Sequence, residues 1–357
     1  MNVLYFGTYT SNYPRNRNII KGLQKNGVEV IECSIRAKPR FVPNFLEICL
    51  RLIKKYQSNY DAMIVGFPGH SDIPLAKLLT KANKKPLIFD AFLSLYDSAV
   101  FDRKVIKEGS LKSKYYYYQD KFTCFLSDIV LLDTNEHINY FHKEFGINKD
   151  KFRRVFVGTD EDIFYPRENT KGDDSFIITF HGKFIPLHGI QYIVGAAKLL
   201  ENCRDIRFEI LGSGQTYNSI INLANKLRTS NIIFREKVKY EELPNFIKRG
   251  DVCLGIFGDT AKAKRVIPNK VFEILAMRKP LITGDSPAIK EASIVDRKNA
   301  LLVELGGSKA IANAILELKE DKNLRNHIAK RGYRLFKKNF TQRIIGQEVK
   351  KILEEVI

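Results

Sequence analysis

Five cysteines in 357 residues, none in a C-x-x-C pair, leave nothing from which to build a disulfide or zinc framework. Cys33, Cys49, Cys124, Cys203 and Cys253 are scattered and mostly set in apolar surroundings, so they read as reduced core residues of a cytoplasmic protein. Long hydrophobic runs are also missing: none approaches the roughly 20 residues that a membrane span needs. Met1-Asn2 leads straight into a strand pattern at Val3, which is expected to leave no room for a secretion signal. Nothing matches a helix-turn-helix, zinc-finger or RNP pattern, so nucleic acid is the weakest polyanion partner and none is expected. Acidic residues are short in number: 40 Asp and Glu against 59 Lys and Arg give a formal net charge of +19. The polyanions that remain are anionic small molecules and an anionic membrane surface, such as the inner face of a cell membrane.

What is present is an alternating α/β chain. At 44% hydrophobic and 28% charged residues it is globular, and its length calls for about two domains. In the first half, strand patterns at Val3–Phe6, Val28–Cys33, Ala62–Val65, Pro86–Phe89 and Ile129–Leu132 alternate with helix patterns near 16–25, 42–57, 72–83, 110–127 and 135–145. Such alternation predicts a parallel, doubly wound sheet whose strand-end loops line a ligand crevice. Tyr9, Tyr13, Arg15 and Arg17 follow the first strand and offer hydroxyl and guanidinium groups to a sugar or phosphate. His70 sits in the Gly66–Asp72 turn, which has neither dinucleotide nor Walker spacing. Asp90, Asp97 and Asp102 share one loop region after Phe89, and the plain alternative for Asp90 is a turn cap.

Two apolar stripes stand out. Phe45, Leu46, Ile48, Cys49, Leu52 and Ile53 run beside Arg51, Lys54 and Lys55, and Tyr115 to Tyr118 follow Lys112 and Lys114. Four consecutive tyrosines cannot share one helical face, so some must point to solvent, a crevice or lipid headgroups.

A polar segment at 161–174 marks the domain boundary, giving domains over 1–165 and 172–340. The second half repeats the rhythm with strands at 176–180, 206–211, 231–234, 251–256, 281–283 and 300–303. The last helix, capped by Thr341, has an apolar face of Ile344, Ile345, Val349, Ile352, Leu353 and Val356.

The stretch Val266–Thr283 is the chemical centre of the chain. Asn269 is a preferred N-cap, the run to Met277 is helical, and Pro280 ends it before a short strand. A helix start beside a strand's carboxyl end is a seat for phosphate. Lys270 and Glu273 share one face of that helix, an ammonium for phosphate oxygen and a carboxylate for ribose hydroxyls; the plain alternative for Glu273 is a dipole-favoured glutamate.

The pattern P-N-K-x-x-E-x-L-A-x-x-x-P from Pro268 to Pro280 resembles the nucleotide-sugar motif of GT-B glycosyltransferases, in particular the retaining enzymes of family 4. Val155 to Pro166 resembles the interdomain V-x-x-G-x-D-x-x-x-F-x-P of that family, and Gly182 to Gly189 its donor-phosphate loop G-R-L-x-x-x-K-G. The resemblance implies two Rossmann-like domains facing one another across a cleft, with helix 341–357 returning to the first. It implies a glycosyltransferase that moves a hexose-type sugar from a nucleotide-diphosphate sugar, its co-substrate, to a glycan, polysaccharide or lipid-linked acceptor, with configuration retained. No further cofactor and no metal are implied, since no D-x-D falls in a convincing loop.

The donor residues implied are Gly182, Lys183, His188 (partly charged), Gly212, Lys237, Val238, Arg265, Asn269, Lys270 and Glu273. Asp90 and Asp97 stand where relatives place a sugar-contacting His, which with Lys183 makes them the catalytic candidates. Tyr9, Tyr13, Arg15 and His70 are the acceptor-side candidates. Two departures are visible: Arg265 stands at a usual glutamate, and Met277-Arg278 replace a usual glycine. A nucleotide-sugar epimerase and a catalytically decayed, membrane-associated scaffold are the alternatives.

Overall fold

The strand patterns of the two halves form two separate parallel sheets in the computed structural model, which describes residues 1–34, 60–168 and 174–357. The helix expected near 42–57, with its Phe45–Ile53 stripe, and residues 169–173 lie outside the described residues. One unit comprises Met1–Gly158 and Gln342–Ile357, the other Thr159–Thr341.

The first unit holds β1 (Asn2–Gly7), β2 (Glu29–Ser34), β3 (Ala62–Val65), β4 (Leu87–Phe92), β5 (Ile129–Leu132) and β6 (Phe152–Arg154), in the order β2-β1-β3-β4-β5-β6. All its pairings are parallel. Helices cover the sheet, so β3 and β5 are buried throughout and read as unbroken apolar runs. β6 is an addition to the expected set. Its Phe152-Arg153-Arg154 has one apolar residue and joins the edge through Val130 opposite Phe152.

The helix Gln342–Glu354 belongs to this unit, as expected of a returning terminal helix, and lies on the helix Pro14–Lys25. Two glycines let the backbones meet: a Cβ on Gly346 would fall 1.9 Å from the Gly22 carbonyl carbon. Polar groups fix the crossing, with Gln342 Nε2 donating to Asn18 Oδ1 at 3.1 Å and Asn26 Nδ2 to the Arg343 carbonyl at 2.8 Å. Gly346→Ala is therefore expected to lower stability by about 1–3 kcal/mol, since neither backbone can recede without disturbing these bonds. Urea unfolding checks this, with the exposed Lys351→Ala as a control that leaves the midpoint unchanged.

The second unit holds β7 (Phe176–His181), β8 (Ile206–Leu211), β9 (Ile232–Arg235), β10 (Val252–Leu254), β11 (Leu281–Gly284) and β12 (Leu301–Val303), ordered β12-β11-β10-β7-β8-β9. All pairings are again parallel. The order reverses between β7 and β10, which lie side by side with Val252 opposite Ile178 and Leu254 opposite Phe180. Their carboxyl ends form the switch point of a doubly wound sheet, the place where such sheets bind ligands.

Candidate functional site

At that switch point the chain assembles one group of polar side chains. The helix Asn269–Ala276 has Pro268 at its N-cap, not Asn269 as expected: Pro268 is extended and Asn269 is already helical, because a fixed proline φ suits the entry. No side chain caps the helix, so its start presents backbone N–H groups and a positive dipole end. The helix closes with Arg278 and Lys279 N–H groups bonded back to the Leu275 and Ile274 carbonyls, at 3.1 and 3.2 Å. Arg278 takes the left-handed conformation at φ 52°, so the turn that glycine usually makes is kept without one.

Lys270 and Glu273, one turn apart, are both buried. Glu273 Oε2 lies 2.8 Å from Nε2 of His181, the last residue of β7, in a buried hydrogen-bonded contact. Lys270 has no such partner: among the described residues no carboxylate lies within ion-pair distance of its amine. Its Nζ instead stands 3.7 Å from the Phe180 ring centre and 3.5 Å from His188 Nδ1. That imidazole nitrogen is already engaged, donating to the Lys183 carbonyl at 2.5 Å, so it cannot also accept from the ammonium. Burial, offset only in part by Glu273, pushes the Lys270 amine well below its ordinary range. Burial and the adjacent Lys270 push His188 well down too, so His188 is neutral where partial charge was expected.

Glycine is required beside this amine. At Gly182, φ +150°, a Cβ would stand 2.8 Å from Lys270 Nζ; at Gly212, φ +143°, it would meet the Gly182 carbonyl oxygen at 1.9 Å. The loops after β7 and β8 thus press together and bare their backbone next to Lys270. Lys183 is exposed one residue on, and Arg265 is half-buried in the loop before the helix, its N–H bonded to the Lys262 carbonyl at 2.9 Å. Lys237 and Val238 follow the edge strand β9, and among the described residues no hydrogen bond or ion pair joins them to the Lys270–Glu273 group.

The first unit gathers a second group. Arg15 and Asp90, both fully buried, form a forked ion pair: Nε reaches both carboxylate oxygens at 3.1 Å and Nη2 reaches Oδ1 at 2.8 Å. Nη1 donates to the Val155 carbonyl at 2.5 Å, tying β4 to the chain beyond β6. Burial raises the Asp90 carboxyl despite the guanidinium beside it. Tyr13 packs on Phe67 and on Phe92, whose ring lies against the Arg15 guanidinium, with ring centres 5.4 and 6.2 Å away; burial and Asp90 push its hydroxyl up to about 12. Phe92 holds φ 58°, a strained conformation for an aromatic residue, at a break in the β4–β5 register.

Three other expected residues of this unit have contacts of their own. Tyr9 is buried, with its hydroxyl 3.2 Å from the Tyr5 carbonyl oxygen and 3.1 Å from a Glu32 carboxylate oxygen. His70 is buried against Phe89 and Asp120, with Nε2 3.3 Å from the carboxylate. Asp97 is buried at the start of a short helix, its N–H bonded to Ser94 Oγ at 2.9 Å.

Two residues were not anticipated. His181 precedes the glycine loop, and only that adjacency hinted at it. His137 forms a buried pair with Asp133 at the end of β5, Nδ1 to Oδ1 2.5 Å, with Nε2 buried and no hydrogen-bond partner for it among the described residues. Its signal was the Asp-x-x-x-His spacing across a helix start capped by Thr134. Among the described residues no three His, Cys, Asp or Glu side chains are placed to hold a metal ion.

Residues 161–335 match the family described as glycosyl transferases group 1. A protein of Methanocaldococcus jannaschii named as an uncharacterized glycosyltransferase is 25% identical over 281 residues, covering 76% of this chain and 70% of its own. Among solved structures, Anabaena HepE in complex with UDP-glucose superposes with a TM-score of 0.74 at 12% identity, over 99% of this chain and 100% of that one. Sucrose-phosphate synthase from Thermosynechococcus elongatus gives 0.77 at 15%, over 99% and 98%. These two show the fold.

Proposed function

From the premise that the chain is a glycosyltransferase of GT-B architecture with a group 1 match over residues 161–335, we propose that it transfers a sugar from a nucleotide-diphosphate sugar to a glycan or lipid-linked acceptor. Configuration is retained and no metal is used. The observation that carries the donor assignment is Lys270: a buried amine with no carboxylate in ion-pair distance among the described residues, against bare glycine backbone and a helix start, at a topological switch point. Burying such a group costs free energy unless something anionic completes the site, and a diphosphate supplies the missing charge. Glu273, oriented by His181, receives the ribose hydroxyls. As the bond from the sugar's anomeric carbon to the diphosphate breaks, Lys270, Lys183, Arg265 and the helix start meet the charge that develops. His188, being neutral, contributes hydrogen bonding rather than charge.

On the acceptor side, the ring cluster of Tyr13, Phe67 and Phe92 offers an apolar floor with one hydroxyl, its Phe92 ring against the Arg15 guanidinium. The solved HepE complex contains UDP-glucose, and a donor of that class suits this site.

A thermal-shift screen across UDP-, GDP-, ADP- and TDP-sugars tests the reading. One of these is expected to stabilise the protein by about 2.7 kcal/mol at a hundred times its dissociation constant. No shift with any of them overturns the donor assignment, and conversion of donor to an epimer without acceptor overturns the transfer. Arg265 gives a finer test. A guanidinium cannot accept hydrogen bonds from sugar hydroxyls but forks onto phosphate, so Arg265→Glu is expected to weaken every nucleotide sugar by about tenfold. Loss restricted to acidic sugars in competition binding would move Arg265 from the phosphate to a uronate.

A further inference from the structure

The helix Leu111–Leu126 is inverted for a surface helix. Its buried side carries Ser113, Asp120, Thr123 and Cys124, while Leu111, Tyr115, Tyr118, Phe122 and Phe125 face outward, 53–87% exposed. At the α-helical pitch, this i, i+4, i+7, i+11, i+14 spacing puts all five in an arc of about 80°. Exposed Lys112 flanks one side of the arc, Lys114 and Lys121 the other. The segment before the helix adds exposed Phe101 and Val105 among exposed Arg103, Lys104 and Lys107. Glu108 is the one exposed acid between 101 and 126. Single exposed apolar residues need no explanation, but a contiguous rank of aromatics does.

We propose that this face seats in the headgroup region of an anionic lipid bilayer. The spacing alone would also suit a helix of a second copy. Charge decides between them: six exposed cations against one acid, on a chain of net charge +19, oppose joining two such faces and favour a negative leaflet. Aromatic and leucine side chains rimmed by lysines are the composition of helices that lie in a membrane interface. No helix among the described residues is long and apolar enough to cross a membrane, so the contact is peripheral. The inference is independent of the donor site, and its test does not use donor binding.

Flotation of the full-length protein with phosphatidylcholine vesicles, with and without phosphatidylglycerol, tests it. Binding is expected to the anionic vesicles, at least about tenfold weaker to the neutral ones, and to fall with added salt. Tyr118→Ser with Phe122→Ser should weaken it by about tenfold. Lys112→Glu, Lys114→Glu and Lys121→Glu together should weaken it by about a hundredfold. All these positions are exposed, and unchanged melting by circular dichroism confirms intact folding. Equal binding to both vesicles, no binding, or binding unaltered in the variants overturns the proposal. A concentration-dependent dimer in sedimentation, abolished by the serine variant, would assign the face to a second copy instead.

Discussion

Lys270→Met is expected to lower kcat/KM by about a hundred- to a thousandfold while leaving the free protein as stable as the parent or more so. The two halves of this expectation have one cause. Among the described residues no carboxylate lies within ion-pair distance of the buried amine, so in the free enzyme it is a cost, and a methionine of similar length removes that cost. With donor bound, the same amine is the charge nearest the bared Gly182 backbone, and its loss leaves the diphosphate short of a cation.

The pH dependence follows from the direction of the shift. Folding lowers the Lys270 pKa from its ordinary 10.5, so the unfolded chain holds the proton over a range where the folded one has released it. Across that window, from the lowered folded value up to 10.5, stability gains with rising pH. Below it the full penalty applies. Buried tyrosines raised by folding act in the opposite sense, costing stability as pH climbs past their ordinary value near its upper end, so the difference between parent and Lys270→Met isolates the lysine. Donor binding should take up a proton inside the window, visible by calorimetry in buffers of different ionisation heat. An unchanged kcat/KM, or a variant that unfolds, would remove Lys270 from the proposed role.

Much of the scaffold was legible because parallel strands buried on both faces leave unbroken apolar runs such as Ala62–Val65 and Ile129–Leu132. β6 was not, since a strand held only at a sheet edge needs no such run. Within the site, Lys270 and Glu273 could be grouped from sequence because helical spacing is local. That Glu273 would meet His181, 92 positions away, depended on β10 lying beside β7, which no local pattern specifies. The same holds for Arg15 and Asp90: each reads as a polar loop residue offered to a ligand, and sheet order turns them into one buried pair. Protonation was the least legible property. His188 was expected to carry partial charge from its residue type alone, and burial beside Lys270 decides otherwise.

Glu273→Gln is expected to weaken donor binding by about 10- to 100-fold, the range of a hydrogen bond to a charged group. The geometry explains why the isosteric change should matter. His181 holds Oε2 at 2.8 Å, which fixes the carboxylate plane, and the proposed site assigns the other oxygen to the ribose hydroxyls. An amide offers one acceptor oxygen instead of two and no charge, so either His181 or the sugar hydroxyls must face its NH2 group. The alternative, that Glu273 is a structural partner of His181, predicts a lower melting temperature with unchanged donor affinity. A 2′,3′-dideoxynucleotide separates the two cleanly. Parent and Glu273→Gln should bind it alike, because the hydroxyls that distinguish them are gone, whereas the ordinary nucleotide should discriminate. His181→Asn should reproduce part of the loss, and the double variant should lose less than the sum, with a coupling of about 0.5–3 kcal/mol for residues in contact. If the dideoxy compound shows the same loss as the ribonucleotide, Glu273 acts on the fold of the loop and the ribose must be held elsewhere.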